Sequence, residues 1–391
     1  MRVYFGVCGV GLGHVGRCMP VAKKLRKRGD HVLFSTYKDA CDYVKRENFP
    51  LCKAPPLSYA VRPDGGVDFR KTTADPGIFS TYIFLTQVRA EIEFMRSFNP
   101  DFVFSDSRLS SLVAAKLLGI PSVTVLNTYK VTIPRERRFL TLAQIADGGI
   151  LTLIGESWAL GKKILIPDFP LPNTLSLANL EIPPRRRRKI EFIGPVLPVR
   201  PEELPEKREI RQKLGYSDEI LIFVPISGLT QDKAYLSLVL KRLLRKLPAN
   251  FRVVMSLGQP GSSATPVIDG NITVYTWMDN RFEYLKACDL VISRAGLGTL
   301  SQAICYGKPL IVIPTPSQTE QLNNAQRAME LGVAKVLSQK DLEYKQFTST
   351  IQEMFTSTTY IKKAEALKAD VSKLNATETM IRVITSLGDA L

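Results

Sequence analysis

Ala287–Pro314 reads ACDLVISRAGLGTLSQAICYGKPLIVIP. Asp289–Ser293 is an apolar run of strand length, followed by a turn holding Gly296 and Gly298. Residues 298–306 then carry helical spacing, and Leu310–Pro314 is a second apolar run. Strand, glycine turn, helix and strand in so short a span predict a parallel βαβ unit with a right-handed crossover. The turn Ser293–Thr299 brings free backbone N–H groups and a helix N-terminus together, which suits a diphosphate. Thr299 adds a hydroxyl there, and Arg294 is expected to add a cation.

The same rhythm extends in both directions. In the second half, Ile220–Pro225, Arg252–Ser256 and Ile272–Tyr275 read as strands and 233–246 as a helix. In the first half, residues 2–8, His31–Thr36, Asp101–Ser105 and Ser122–Leu126 read as strands. Helices are expected over 17–28, ended by Gly29, and over 109–118. The expected class is α/β, with two doubly wound Rossmann-like domains facing a cleft. A length of 391 residues fits two such cores better than one. Pro195, Pro198, Pro201 and Pro205 mark a semi-rigid joint near 195–206. The expected divisions are 1–198 for an acceptor-binding domain and 199–365 for a nucleotide-sugar-binding domain. Residues 358–390 read as helical, with 366–391 crossing back to the first domain.

Composition narrows the classes. Hydrophobic residues at 45% and charged residues at 23% describe a soluble globular chain. No apolar run reaches the roughly 18–20 residues needed to span a bilayer. The N-terminus enters a strand directly, without a leader pattern, so a cytoplasmic protein is expected. The six cysteines form no C-x-x-C pair and the only histidines are His14 and His31, so no metal is expected. A net charge of +16 favours anionic partners. Basic clusters at Arg135–Arg138 and Arg185–Lys189 flank the apolar stretch 139–172. Residues 135–189 are therefore a candidate contact for an anionic membrane on the cytoplasmic face. An ordinary acceptor loop with solvated arginines explains them as well. Nothing in the sequence sets an oligomeric state.

The first strand runs into Gly9–Gly16, GVGLGHVG. Glycines Gly11 and Gly13 permit a tight turn and close approach of a ligand on the acceptor side. His14 lies within this turn, at the sheet edge where open α/β folds bind ligands, and a neutral imidazole there can take a proton from a hydroxyl. Asp106 ends another strand of the same half and is placed to orient His14; a helix N-cap role fits it too. In the second half, Glu320, Gln321 and Asn324 in the loop after Pro314 are suited to read sugar hydroxyls. Trp277 offers a flat apolar face for a base.

Residues 275–332 resemble the donor-binding segment of the UDP-glycosyltransferases. They are closer still to the peptidoglycan lipid-intermediate N-acetylglucosaminyltransferase group, all of GT-B architecture. The resemblance implies that the SRAGLGT turn holds the donor diphosphate and that Met278 meets uracil through its backbone. It also implies that Glu320 and Gln321 touch the donor sugar and that Ser227-Gly228 is a donor-side turn. Gly9–Gly16 matches the family's glycine–histidine turn, and Asp106 its catalytic-pair aspartate. FIGPVLP, 192–198, matches the entry to the second domain. The family's ribose-binding Glu is here Gln302. An amide lacks the charge-assisted strength of a carboxylate.

The expected activity is inverting, metal-independent transfer of a hexosyl unit from a nucleoside-diphosphate sugar, UDP-linked, to an acceptor hydroxyl. The sugar nucleotide is a substrate and no cofactor is expected. The acceptor is a small molecule or a lipid-linked, membrane-associated one. Three other readings compete. An NAD(P)-dependent oxidoreductase would use Gly11, Gly13 and Gly16, with Lys38 at a ribose phosphate. A nonhydrolysing UDP-sugar epimerase shares the architecture but needs more acidic residues in the cleft. A basic nucleic-acid-binding protein would explain the charge but not the donor-type turn, so nucleic acid is the least favoured partner.

Overall fold

The computed structural model describes residues 1–56, 77–129, 157–228 and 230–388. Two seven-stranded sheets organise the chain. The first contains β1 (Arg2–Val7), β2 (His31–Thr36), β3 (Leu51–Lys53), β4 (Phe102–Asp106), β5 (Ser122–Val125), β6 (Ile164–Ile166) and β7 (Ile190–Phe192). Its order is β3-β2-β1-β4-β5-β6-β7, parallel throughout. The second contains β8 (Ile220–Pro225), β9 (Phe251–Ser256), β10 (Val267–Asp269), β11 (Ile272–Tyr275), β12 (Leu290–Ser293), β13 (Leu310–Val312) and β14 (Ala334–Val336). Its order is β10-β11-β9-β8-β12-β13-β14, parallel except that β10 returns antiparallel on β11.

Both central strands are apolar on both faces, as parallel strands covered by helices must be. Val3, Tyr4, Phe5 and Val7 of β1 and Leu221 to Val224 of β8 are all buried. The covering helices are amphipathic. Helix Gly13–Lys27 buries Val15, Cys18, Met19, Val21, Ala22 and Leu25 and leaves its lysines outside. It begins at Gly13, four residues before the expected start, so His14 stands in its first turn.

Each sheet reverses its winding once. The order switches between β1 and β4 in the first sheet and between β8 and β12 in the second. Connections leaving the paired strands diverge there, and a crevice opens beyond their C-terminal ends. The expected sites fall at these two points: His14 after β1, Asp106 at the end of β4, Ser227 after β8 and Gly296 after β12.

Beyond the linker that leads into the second lobe, two segments join the lobes. Phe169 and Leu175, which follow β6, are buried in the hydrophobic core of the second lobe. Arg327 fixes that excursion by donating to the carbonyls of Pro172 (2.6 Å) and Thr174 (3.2 Å). The segment 358–390, read as helical, holds two helices, Thr358–Val371 and Ala376–Gly388. The former buries Ala364, Leu367 and Val371 in the second lobe. The latter buries Ala376, Met380, Val383 and Ile384 in the first. The chain therefore changes lobes within Ser372–Asn375. No helix among the described residues is long and apolar enough to cross a membrane.

Candidate active site

His14 and Asp106 meet because their strands pair. β1 and β4 run side by side with Val7 opposite Asp106, so the helix after β1 starts above the Asp106 carboxylate. His14 Nδ1 lies 2.8 Å from Asp106 Oδ1. The Asp106 side chain is fully buried, whereas His14 is 23% exposed toward the crevice. The alternative N-cap role of Asp106 does not apply. The next helix, Leu109–Leu117, has Arg108 at its N-cap and no side-chain cap.

A third residue, absent from the expected site, completes the group. Arg17 Nε donates to Asp106 Oδ2 and Arg17 Nη2 to Asp106 Oδ1, both at 2.5 Å. Arg17 Nη2 also lies 3.1 Å from His14 Nδ1. Burial drives the Asp106 carboxyl toward the neutral form. The adjacent Arg17 and His14 outweigh it and hold the group down at about 2, so it is ionised at neutral pH. The Cys18 thiol, 3.4 Å from Asp106 Oδ2, is pushed well up by burial and by that carboxylate. The signal for Arg17 was its spacing. Residues i and i+3 share a helix face, but only if the helix already includes His14.

The opposite wall is built from two glycine turns of the second lobe. Gly296 is the N-cap of helix Leu297–Cys305, Gly298 is exposed and Thr299 half-buried. The Thr299 amide donates to the Gly296 carbonyl (3.1 Å), and the amides ahead of it, those of Leu297 and Gly298, are the ones such a helix start offers to an anion. Ser227 Oγ approaches within 3.7 Å of where a Cβ on Gly296 would stand. Gly228, at φ 122°, and Gly11, at φ 67°, both hold left-handed backbone. A Cβ on Gly11 would stand 3.9 Å from the Gly228 carbonyl oxygen. The glycine turns of the two lobes thus face each other across one crevice. A Cβ at Gly13 or Gly298 would meet nothing within 4 Å.

Several expected ligand contacts are instead internal braces. Arg294 is completely buried and pairs with Asp232. Its guanidinium also donates to the Ile313 carbonyl (3.0 Å) and Gln339 Oε1 (2.6 Å), so it is not the expected phosphate cation. Asn324 is completely buried as well, so it is not a sugar-reading residue. It donates to the Ala295 carbonyl (3.1 Å) and accepts from Asn179 (3.0 Å). Gln321 Oε1 accepts the backbone N–H of Thr315 (2.9 Å) and Ala295 (3.3 Å), bracing the turn from behind. The Met278 side chain is core, leaving only its backbone for a ligand. Gln302 Oε1 accepts from Arg281 (2.6 Å) and its amide faces the Val196 carbonyl (3.4 Å).

Glu320 and Trp277 lie where the lobes touch. Glu320 Oε1 accepts from Asn127 Nδ2 of the first lobe at 2.6 Å. Trp277 packs on Tyr43 with ring centroids 5.5 Å apart, and the Arg46 guanidinium covers its ring at 5.2 Å. Lys233, overlooked in the sequence, is 4% exposed, donates to the Gly258 carbonyl (3.0 Å) and lies 3.8 Å from Asp39 of the first lobe.

The candidate membrane contact divides in two. Arg135–Arg138 and most of 139–172 lie outside the described residues. Arg185, Arg187 and Arg188 are exposed on the short 3-10 helix Pro184–Lys189, just before β7. Since β7 runs parallel to β6 in a fully parallel sheet, this cluster stands at the edge opposite His14. Among the described residues no group of three or more His, Cys, Asp or Glu side chains is gathered to hold a metal ion.

Residues 228–380 match the glycosyltransferase family 28 C-terminal domain. Over 98% of its length the chain is 25% identical to an uncharacterized glycosyltransferase of Methanosarcina acetivorans, 98% of which is covered. It is 29% identical to the UDP-N-acetylglucosamine–N-acetylmuramyl-(pentapeptide) pyrophosphoryl-undecaprenol N-acetylglucosamine transferase of Moorella thermoacetica. That match covers 51% of this chain and 57% of the relative. Among solved structures, a spinosyn rhamnosyltransferase superposes with a TM-score of 0.67 at 16% identity, covering 98% of this chain and all (100%) of the other. The same enzyme complexed with thymidine diphosphate gives 0.65 at 16% identity, with coverage of 98% and 100%.

Proposed function

We propose that this chain, a glycosyltransferase of GT-B architecture, moves a hexosyl unit from a UDP-linked sugar to an acceptor hydroxyl with inversion at the anomeric carbon. The observation that carries the reading is the facing of two switch points. The His14–Asp106 pair stands at one, and the glycine turns Ser227-Gly228 and Gly296–Thr299 stand at the other. With Nδ1–H donated to Asp106, His14 Nε2 carries the lone pair. It takes the acceptor proton as the oxygen forms its bond to the anomeric carbon. The bond from that carbon to the diphosphate breaks, and its electron pair leaves on phosphate oxygen. Amides of Leu297 and Gly298, with the hydroxyls of Ser227 and Thr299, stabilise the departing charge. Helix N-terminus and hydroxyls do this work without a metal in the proposed mechanism. Glu320 meets the sugar, and the Met278 backbone and Trp277 edge meet the base.

Uridine as the base is supported by the donor in the name of the Moorella relative. The thymidine diphosphate held by the spinosyn enzyme makes dTDP the comparison to run. The same relative's undecaprenol-linked acceptor supports a lipid-linked hydroxyl, used at a membrane surface from the cytoplasmic side. Liposome sedimentation with anionic and neutral vesicles tests that part. The test of the mechanism is His14→Ala. Transfer is expected to fall by about 10²–10⁴-fold, the usual contribution of a general base, while UDP affinity by titration calorimetry stays within about twofold. Equal loss of both would refute the role. A melting-temperature panel of UDP, dTDP and NAD(P)H tests the donor, since a ligand bound only by the folded state raises that temperature.

A further inference from the structure

Arg17 does more than neutralise a buried carboxylate. Its Nε and Nη2 form a fork on both oxygens of Asp106, which fixes the carboxylate plane and so the direction from which His14 Nδ1 is held. Its remaining nitrogen, Nη1, donates to Asn127 Oδ1 at 3.1 Å. Asn127 is 5% exposed and lies just beyond β5. Its amide Nδ2 donates to Glu320 Oε1 of the other lobe at 2.6 Å. The two ends of this amide are set by charge. Its oxygen faces a guanidinium and its NH₂ faces a carboxylate, and a flip would turn both contacts repulsive. An unbroken series therefore runs from His14 through Asp106, Arg17 and Asn127 to Glu320 and crosses the crevice once. Glu320 is also felt electrostatically at Arg17, whose guanidinium Asp106 and Glu320 help keep charged against the cost of burial.

His14 Nδ1 has two neighbours that make opposite demands. Toward Asp106 Oδ1 it must donate; toward Arg17 Nη2 it must accept. The first tautomer leaves Nε2 free to take a proton, and the second places the proton on Nε2. The seat of the Arg17 fork decides between them, and Asn127 and Glu320 hold the far side of that fork.

We propose that Arg17 is a positioning residue for the His14–Asp106 pair, and that Asn127 makes its setting depend on the state of Glu320 across the crevice. This rests on the reading of His14 as the base. When a donor sugar engages Glu320, the grip on Asn127 changes and the imidazole responds. The acceptor-side base is thereby set by the donor side before an acceptor arrives.

With only two histidines in the chain, the imidazole nitrogens can be followed directly by ¹⁵N NMR on histidine-labelled full-length protein. His31→Asn assigns the pair. The deciding variant is Glu320→Gln, isosteric, partly exposed and in a different lobe from His14. Asn127→Ala is its companion, with thermal melts confirming that both fold. The expected result is a change in the His14 tautomer ratio of at least about twofold in each. That is the lower end of coupling within one hydrogen-bond network. The double variant should give no more than the larger single effect. Unchanged His14 signals in Glu320→Gln, or effects that add in the double variant, overturn the proposal. A role confined to holding Asp106 would move the melts and not these signals. The NMR readout needs no transfer reaction. Failure of His14 as the base, seen as retained transfer in His14→Ala, is thus distinguishable from failure of the relay.

Discussion

Arg17→Met isolates the energetics of the buried group. Asp106 is fully buried, and removing one partner of a buried ion pair costs about 3–5 kcal/mol, because the remaining charge has lost its compensation. At roughly 2–4 °C per kcal/mol for a lobe of this size, the melting temperature should fall by about 6–20 °C at pH 7. The pH dependence sharpens the test. The Asp106 carboxyl is held at about 2 in the folded chain against an ordinary value of 3.8. The difference, at about 1.4 kcal/mol per unit, is about 2 kcal/mol of stability. Because the folded value is the lower one, that contribution is fully present above the unfolded value. It is lost as the pH falls from about 4 toward 2. Arg17→Met removes the first of the two sources of the depression and leaves His14, so the gap between variant and wild type should narrow over that interval, by up to about 2 kcal/mol. Urea denaturation at pH 7, 4 and 2.5 reads it directly. A loss under about 1 kcal/mol at pH 7, or a gap that stays constant with pH, would refute the electrostatic account.

Three further substitutions test the second lobe. Gly228→Ala forces a side chain into left-handed backbone and drives its Cβ to 2.7 Å from Asp232 Oδ2, disturbing the partner of Arg294. A melting-point loss equivalent to about 1–3 kcal/mol is expected. Gly298→Ala, with open space at its Cβ, should leave the melt unchanged and lower only nucleotide affinity. Asn324→Ala takes a donor from the buried Ala295 carbonyl and leaves the Asn179 amide with only its 3.4 Å contact to the Glu320 carbonyl. It should cost about 1–3 kcal/mol by denaturant titration, and an unchanged midpoint would contradict the bracing role.

Strong local signals carried most of the fold. β2, β8 and β11 match the expected strands end to end, since each is a short stretch rich in β-branched and other apolar residues bounded by turn residues. The edge strands β3, β7, β10 and β14 went unread. At three residues each they have no periodicity to detect, and their pairing is set by neighbours distant in sequence. The site divides the same way. His14, Asp106 and the glycine turns follow from strand ends and switch points, which a βα rhythm makes legible. Arg294 was misread because its neighbours in sequence suggest an anion, while the partner that decides its direction, Asp232, is far away along the chain. Arg17 was passed over for a related reason. A basic residue near a helix start looks like part of a solvated face until the strand carrying Asp106 is laid beside it.

The last helix bears on how the protein is made. Met380, Val383 and Ile384 fill the same core as Val3 and Phe5. A ribosome therefore releases the first strand well before the residues that seal its surroundings. At about 5–20 residues per second, the early lobe waits tens of seconds with an unsealed apolar floor. Vectorial folding from the front is then incomplete by design, and the nascent chain should recruit chaperones until translation reaches Ala376.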